Sequence, residues 1–340
     1  MDIIQHYQSI LQIYDTNQII RNLDQRRQTA TFFTDTVKQL QTLHLHRETG
    51  DILYKSQPKE NIIEINKGAY GKIYLSSDPM FVYKEILYKE EGEDLEHNIR
   101  EVFLELFIQT VLTHDQELGK HICKAFKLYR SEHSHRAKVP FSLFIKMECL
   151  PTSLHDRLFD NHFTMKNLAD CIQQLTTLLE QLKTKYKFSH RDLHVHNIMF
   201  QGDTIKLIDF GFSRLEFEGV TYSLQQNVVV KQTENTVLKT IELQEQPQSH
   251  DILVFLSSFL HYYGSNLQAE DKAFLLSLFE TEKGVNLYEI WLKRSKHPVF
   301  HMFYDWIRKE EWPQHLEKAL NNEKRFKLEA VREAFTKKIE

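Results

Sequence analysis

Residues 188–213 read Phe188-Ser189-His190-Arg191-Asp192-Leu193-His194-Val195-His196-Asn197-Ile198-Met199-Phe200-Gln201-Gly202-Asp203-Thr204-Ile205-Lys206-Leu207-Ile208-Asp209-Phe210-Gly211-Phe212-Ser213. Three oxygen-bearing side chains stand at set intervals in it: Asp192, Asn197 five residues on, and Asp209 twelve further. A carboxylate that orients a hydroxyl, followed by an amide oxygen and a second carboxylate that hold a divalent cation, is what phosphoryl transfer from ATP requires.

The residues between them support that chemistry. Ile198-Met199-Phe200 and Ile205-Lys206-Leu207-Ile208 read as two short strands, with Gln201-Gly202-Asp203-Thr204 as the turn. A hairpin of this kind brings Asn197 and Asp209 together at its open end. Two hard oxygen ligands there, completed by triphosphate oxygens and water, suit Mg²⁺ or Mn²⁺.

His190-Arg191-Asp192-Leu193 with Asn197 resembles the catalytic loop of the eukaryotic-type protein kinases, and Asp209-Phe210-Gly211 resembles their metal-binding motif. The local flavour of residues 188–199 is similar to haspin-like kinases and to divergent kinases of large DNA viruses and intracellular bacteria. The resemblance implies an α+β, bilobal fold, with a small β-rich lobe, a larger helical lobe and the nucleotide between them. It also implies Asp192 as catalytic base, Asn197 and Asp209 as metal ligands, and ATP with Mg²⁺ or Mn²⁺ as cofactors.

Upstream, Ile62-Ile63-Glu64-Ile65 runs into Asn66-Lys67-Gly68-Ala69-Tyr70-Gly71-Lys72-Ile73, and Met80-Phe81-Val82-Tyr83-Lys84 follows. Strand, glycine turn, strand resembles the kinase lid over the ATP phosphates, which implies nucleotide contacts from Gly68, Tyr70, Gly71 and Ile73. The first glycine of the family pattern is Asn66 here. Lys84 stands where the family lysine holds the α and β phosphates. Its acidic partner is expected on a helix spanning His97 to Leu112, with Glu105 preferred because Ile108 and Leu112 follow it at apolar spacing; Glu101, one turn earlier, is the alternative.

Two further strands are expected at Ile122 to Tyr129 and Phe141 to Met147. Phe144-Ile145-Lys146-Met147-Glu148-Cys149-Leu150 resembles the hinge between kinase lobes, which implies that the backbone of Glu148, Cys149 and Leu150 meets the adenine edge and that Met147 limits the pocket's depth. Leu168, Cys171, Ile172, Leu175, Leu178, Leu179 and Leu182 then mark a strongly amphipathic helix feeding the catalytic loop.

His194 departs from the lysine that many Ser/Thr kinases place two residues after the catalytic Asp. With a reference pKa of about 6.5 it acts either as a hydrogen-bond donor or beside a site whose charge is compensated mainly by metal. His190, His194 and His196 also admit reading as a zinc site, which would compete for the same loop.

Composition bounds the rest. The 340 residues, 41% hydrophobic and 26% charged, are ordinary globular values, and the net charge of -4 gives no reason to expect nucleic acid or an anionic membrane as partner. Cys123, Cys149 and Cys171 read as reduced thiols rather than a disulfide framework. With no apolar run long enough to span a bilayer and no visible targeting segment, a soluble, intracellular, cytoplasmic protein is expected.

Three segments are expected: a helical extension over 1–57, the small lobe over 58–150 and the large lobe over 151–340. The extension is read from Ile3, Tyr7, Ile10, Leu11 and Tyr14, and from Phe33, Val37, Leu40 and Leu43, as helices packed on the catalytic domain or as a regulatory arm. Residues 214–249 correspond to the activation segment, with Thr221, Tyr222 and Ser223 as conceivable phosphorylation sites and Arg191 as a receiver of the phosphate. His250 to Leu256 resembles the central helix of the large lobe, with Asp251 tied to the catalytic loop. The carboxy-terminal part reads as helical, with aromatic anchors including Tyr288 and Trp291, and either terminal region offers a surface to a regulatory partner. The function implied is a protein kinase, Ser/Thr-directed, acting on a protein substrate; a small-molecule kinase of the aminoglycoside or choline type and a pseudokinase binding module are the alternatives.

Overall fold

A computed structural model of the chain describes residues 2–13, 15–24, 32–46, 51–54, 63–67, 71–76, 78–86, 93–132, 141–160, 163–223, 225–232, 235–242, 250–294 and 323–340. Contacts divide the chain into two compact units, Met1–Leu150 and Pro151–Glu340.

The first unit is built on a mixed seven-stranded sheet. Its strands are β1 (Thr42–His46), β2 (Asp51–Tyr54), β3 (Ile63–Lys67), β4 (Gly71–Leu75), β5 (Phe81–Ile86), β6 (Ala125–Glu132) and β7 (Phe141–Glu148), in the order β2-β1-β6-β7-β5-β4-β3. All neighbours are antiparallel except β1 and β6, which run parallel with Thr42 opposite Arg130. Leu43 of β1 is fully buried beside Tyr83, Tyr129 and Phe144, so the amino-terminal segment contributes to the same core as the strand carrying Lys84.

Helices α1 (Ile3–Leu11), α2 (Thr16–Asp24) and α3 (Phe32–Val37) precede the sheet, and the long α4 (Glu93–His114) follows β5. Asp2 and Gln5 form a capping box that starts α1, and Gln12 in the left-handed region ends it. From Ile99 to Leu112 almost every position of α4 is buried, as expected of a helix covered on more than one face. Helices α1, α2 and α3 all pack on α4, and α4 also packs on β6.

The amino-terminal segment therefore differs from the helical extension expected over 1–57, since residues 42–46 and 51–54 are strands of the main sheet. Thr42-Leu43-His44-Leu45-His46 alternates with period two. Pairing with β6 satisfies its backbone, and the helical spacing that ends at Leu43 does not carry on.

The second unit is mainly helical. It contains β8 (Thr152–Ser153), α5 (Leu154–Leu158), α6 (Met165–Tyr186), the hairpins β9 (Ile198–Gln201) with β10 (Thr204–Leu207), β11 (Arg214–Phe217) with β12 (Val220–Ser223) and β13 (Gln225–Gln232) with β14 (Asn235–Glu242), then α7 (His250–Tyr263), α8 (Ala269–Ser277), α9 (Leu287–Arg294) and α10 (Leu328–Ile339). A Thr164–Asn167 capping box starts α6; its buried face runs from Leu168 to Tyr186, and Lys187 ends it with a positive φ of 45°. Helix α7 is buried continuously from His250 to Leu260. Tyr288 is buried in α9, whereas the side chain of Trp291 lies outside the described residues.

Candidate active site

The β9–β10 hairpin is held by its own ladder. Leu207 pairs with Ile198, and the ladder continues through Ile208 N–H donating to the Asn197 carbonyl at 3.1 Å, so Asp209 leaves the hairpin beside Asn197. At the turn Gly202 adopts φ 60°, which costs a glycine no steric strain. The Asn197 amide nitrogen donates to the Asp192 carbonyl at 2.8 Å and lies 3.4 Å from the Asp192 carboxylate. With that nitrogen committed, the amide oxygen is the atom Asn197 offers to a cation.

The loop before the hairpin hangs from one buried carboxylate on α7. Asp251 accepts from the backbone N–H of His190 at 2.8 Å and of Arg191 at 2.7 Å, and from the Ser189 hydroxyl at 3.3 Å. Burial alone would raise the Asp251 pKa, but the His250 ring 3.8 Å away, with the His190 ring and N–H, holds it below the usual carboxylate value. Seven residues further along α7, the Ser258 hydroxyl accepts from Val195 N–H at 3.1 Å.

His190 is fully buried, and burial lowers its pKa, so the ring is neutral at pH 7. Its Nε2 sits 3.0 Å from the Ile208 carbonyl, which assigns the proton to Nε2. The ring packs on Phe210 at 5.5 Å, and Phe210 meets Phe188 at 6.3 Å. Arg191 and Asp209 both take left-handed backbone angles, φ 68° and 61°. Such angles are uncommon away from glycine and are held here by the surrounding hydrogen bonds and packing.

The electrostatics of the loop follow from crowding. Asp192 keeps 27% of its side-chain surface open, yet desolvation by its surroundings, with the Asp209 charge second, pushes its pKa up to about 8. His194 is driven the other way, down to about 4, by burial and then by His196 and His190. Its Nδ1 accepts from His196 N–H at 3.2 Å, and its Nε2 lies 3.3 Å from the Asn197 amide nitrogen and 3.6 Å from the Asp192 carboxylate. His194 is thus neutral at pH 7 and supplies no positive charge.

The three histidines do not converge. His190 turns to Ile208, and His196 stacks on His155 at 4.2 Å. Among the described residues no group of three His, Cys, Asp or Glu is arranged to hold a metal by itself. The zinc reading has no support in this arrangement.

In the first unit, Lys84 lies on β5 between Ile73 of β4 and Ile145 of β7. Its ammonium is 3.0 Å from the Glu105 carboxylate of α4, and both side chains are largely buried. Glu101 pairs instead with His97 at 2.9 Å. Gly71 opens β4 where a Cβ would come within 2.1 Å of the Glu85 carbonyl, so only glycine fits the strand spacing there. Gly68 and Tyr70 lie outside the described residues.

At the end of β7, Glu148 N–H donates to the Lys124 carbonyl and Cys149 N–H to the Met80 carbonyl, both at 2.9 Å, so these two donors are engaged within the unit. Met147 is buried between Val82 and Ala125. Of the three hydroxyls considered as modification sites, Tyr222 and Ser223 are buried in β12, and Arg191 is fully buried as well.

Ser258 was not singled out from the sequence. Its signal was a Ser257-Ser258 pair inside the apolar run from Ile252 to Leu260, where a buried hydroxyl needs a partner. A family model described as a protein kinase domain matches residues 59–233, about half of the chain. No curated protein matches the chain. Among the described residues no helix is long and apolar enough to cross a membrane.

Proposed function

Because the chain belongs to the protein kinase family, we propose that it transfers the γ-phosphate of ATP to serine or threonine hydroxyls of a protein substrate, with Asp192 as the base. The observation that carries this reading is the open end of the β9–β10 hairpin, where Asn197 is bonded to Asp192 and followed across the ladder by Asp209.

A hard divalent cation suits that corner. The Asn197 amide oxygen and the Asp209 carboxylate are the ligand types Mg²⁺ and Mn²⁺ select, and the Asp209 charge helps raise the Asp192 pKa. When bound, such an ion offsets that charge and neutralises the triphosphate.

The chain's own groups do the remaining work. The Asp192 carboxylate accepts the hydrogen bond of the acceptor hydroxyl and takes its proton as the new P–O bond forms and the bond from the γ-phosphorus to the bridging oxygen breaks, that oxygen leaving with ADP. His194 stands beside Asp192 as a neutral group and adds no charge to the site. Lys84, steadied by Glu105, receives phosphate oxygens. The backbone at Leu150, with Glu148, Cys149 and Met147 around it, frames the adenine, and Gly71 and Ile73 of β4 lie toward the phosphates. Asp251 fixes the loop so that Asp192 does not drift, since an error of about 1 Å can cost on the order of a hundredfold in rate.

The test is mass spectrometry of a cell extract incubated with ATP and Mg²⁺ or Mn²⁺ and either the wild-type protein or Asp192→Asn. New phosphoserine or phosphothreonine confined to the wild-type sample is the expected result. Phosphotyrosine alone would revise the acceptor, phosphorylated metabolites alone would favour a small-molecule kinase, and no difference would favour a pseudokinase.

A further inference from the structure

Helices α1, α2 and α3 carry no group that the phosphoryl-transfer chemistry uses, yet their polar contacts converge on one helix. The buried Glu96 carboxylate of α4 accepts from Phe33 N–H, from Thr34 N–H at 2.8 Å and from the Thr34 hydroxyl at 2.6 Å, satisfying the start of α3. One turn further along α4, the buried Arg100 donates from Nη2 to the Leu23 carbonyl in the last turn of α2. Tyr7 of α1 donates to the Phe103 carbonyl at 2.8 Å, and its ring meets Phe107 edge-on at 5.3 Å. Phe33 of α3 packs on Phe103 at 5.5 Å.

The signs of the charges suit the helix ends they meet: a carboxylate at an amino terminus and a guanidinium at a carboxy terminus. Both charged groups are buried, where losing a hydrogen bond to a charged group costs more than at the surface. The hydrogen bonds among these contacts join residues 62 to 96 apart in sequence. They grip α4 at 96, 100, 103 and 107, the interval that also carries Glu105. A rotation or slide of α4 that withdraws Glu105 from Lys84 must break all of them together.

We propose that α1, α2 and α3 form a built-in clamp on α4, with Tyr7, Glu96 and Arg100 as positioning residues that keep Glu105 on Lys84. The proposal rests on the Lys84–Glu105 pairing in the reading above. The chain itself supplies what the sequence alone left open to a separate partner: a group that sets this helix.

The first measurement reads the pair without catalysis. Full-length protein is treated with an amine-acylating reagent, and the rate of Lys84 modification is followed by peptide mass spectrometry, with Lys187 as an exposed reference. Arg100→Met and Tyr7→Phe are expected to speed Lys84 modification at least about threefold, toward the Glu105→Gln rate, with Lys187 unchanged, because the pair must open for the ammonium to lose its proton and react. A Lys84 rate equal to wild type in both variants overturns the clamp. Should Arg100→Met fail to fold, Tyr7→Phe, which removes one hydroxyl, decides by the same criterion.

The second measurement separates positioning from general loosening. In ATP turnover, Arg100→Met is expected to lower kcat about tenfold alone and less than about twofold in a Glu105→Gln background, because groups acting through one another are non-additive. Equal losses in both backgrounds overturn the proposal. An inactive wild-type protein whose Lys84 rates still respond would count against phosphoryl transfer and for the clamp.

Discussion

The catalytic hairpin and the Lys84–Glu105 pair each hold charged groups in place, but they are held by different means. Asp192, Asn197 and Asp209 lie within eighteen residues, fixed by a two-strand ladder and by Asp251 beneath the loop. Lys84 and Glu105 sit on separate elements 21 residues apart, and α4 is fixed by contacts that reach back as far as Tyr7. One region is specified by local sequence and by anchors on one helix, Asp251 and Ser258 of α7. The other depends on packing assembled from across the unit.

That contrast orders the expected effects of mutation. The largest fall on the hairpin: Asp192→Asn should lower phosphate transfer by about 10²–10⁴-fold with the fold intact, since it removes the base and leaves the volume. A loss under tenfold would move the base elsewhere and end the comparison. Lys84→Met should cost about a hundredfold, as removal of one preorganised electrostatic donor does. Glu105→Gln should cost less, because the lysine survives with its position loosened. Parallel assays of ATP turnover give both figures.

Asp251→Asn tests the anchor. An amide there accepts fewer hydrogen bonds from the His190 and Arg191 N–H groups, and thermal or urea unfolding at pH 7 should show a loss of about 2–4 kcal/mol. The sign of the pH dependence follows from the lowered Asp251 pKa. A depressed carboxyl contributes stability above its unfolded pKa of about 4 and loses it as pH falls through the folded value, so the gap between wild type and Asp251→Asn should narrow below about pH 4. A gap that stays constant with pH would mean the carboxylate charge is not what holds the loop.

The smallest effect belongs to the surface. Arg332 of α10 reaches Glu180 of α6 at 3.1 Å with both side chains about 30% exposed. Arg332→Ala should change stability by less than about 1 kcal/mol and leave turnover unchanged. A larger loss would show that the second unit, like the first, leans on distant helices.

The same contrast explains what could be read in advance. The hairpin was legible because a period-two pattern, a Gly202 turn and three spaced oxygen-bearing side chains all point one way, and Leu168 to Leu182 repeat at helical spacing without interruption. Glu105 was separable from Glu101 by the apolar residues after it, and in the structure Glu105 meets Lys84 while Glu101 meets His97. β1 was hidden because Leu43 fits two periods at once: it closes the series Phe33, Val37, Leu40, Leu43 and opens an alternation through Leu45. Which applies is settled by the backbone of β6, and no local pattern carries that information. Glu96 and Arg100 were hidden for a similar reason, since an i,i+4 pair of opposite charge looks like a solvated helix face until other helices cover it. The hinge N–H groups were invisible too, because the carbonyls that claim them belong to Lys124 and Met80.

The most direct test of the central claim is a titration of Mn²⁺ with a non-hydrolysable ATP analogue, followed by electron paramagnetic resonance. Wild-type protein should bind the ion with the nucleotide, and Asn197→Ala and Asp209→Ala, each folded by its thermal transition, should lose at least about tenfold in affinity. Equal binding by all three proteins would contradict a cation site at the open end of the hairpin.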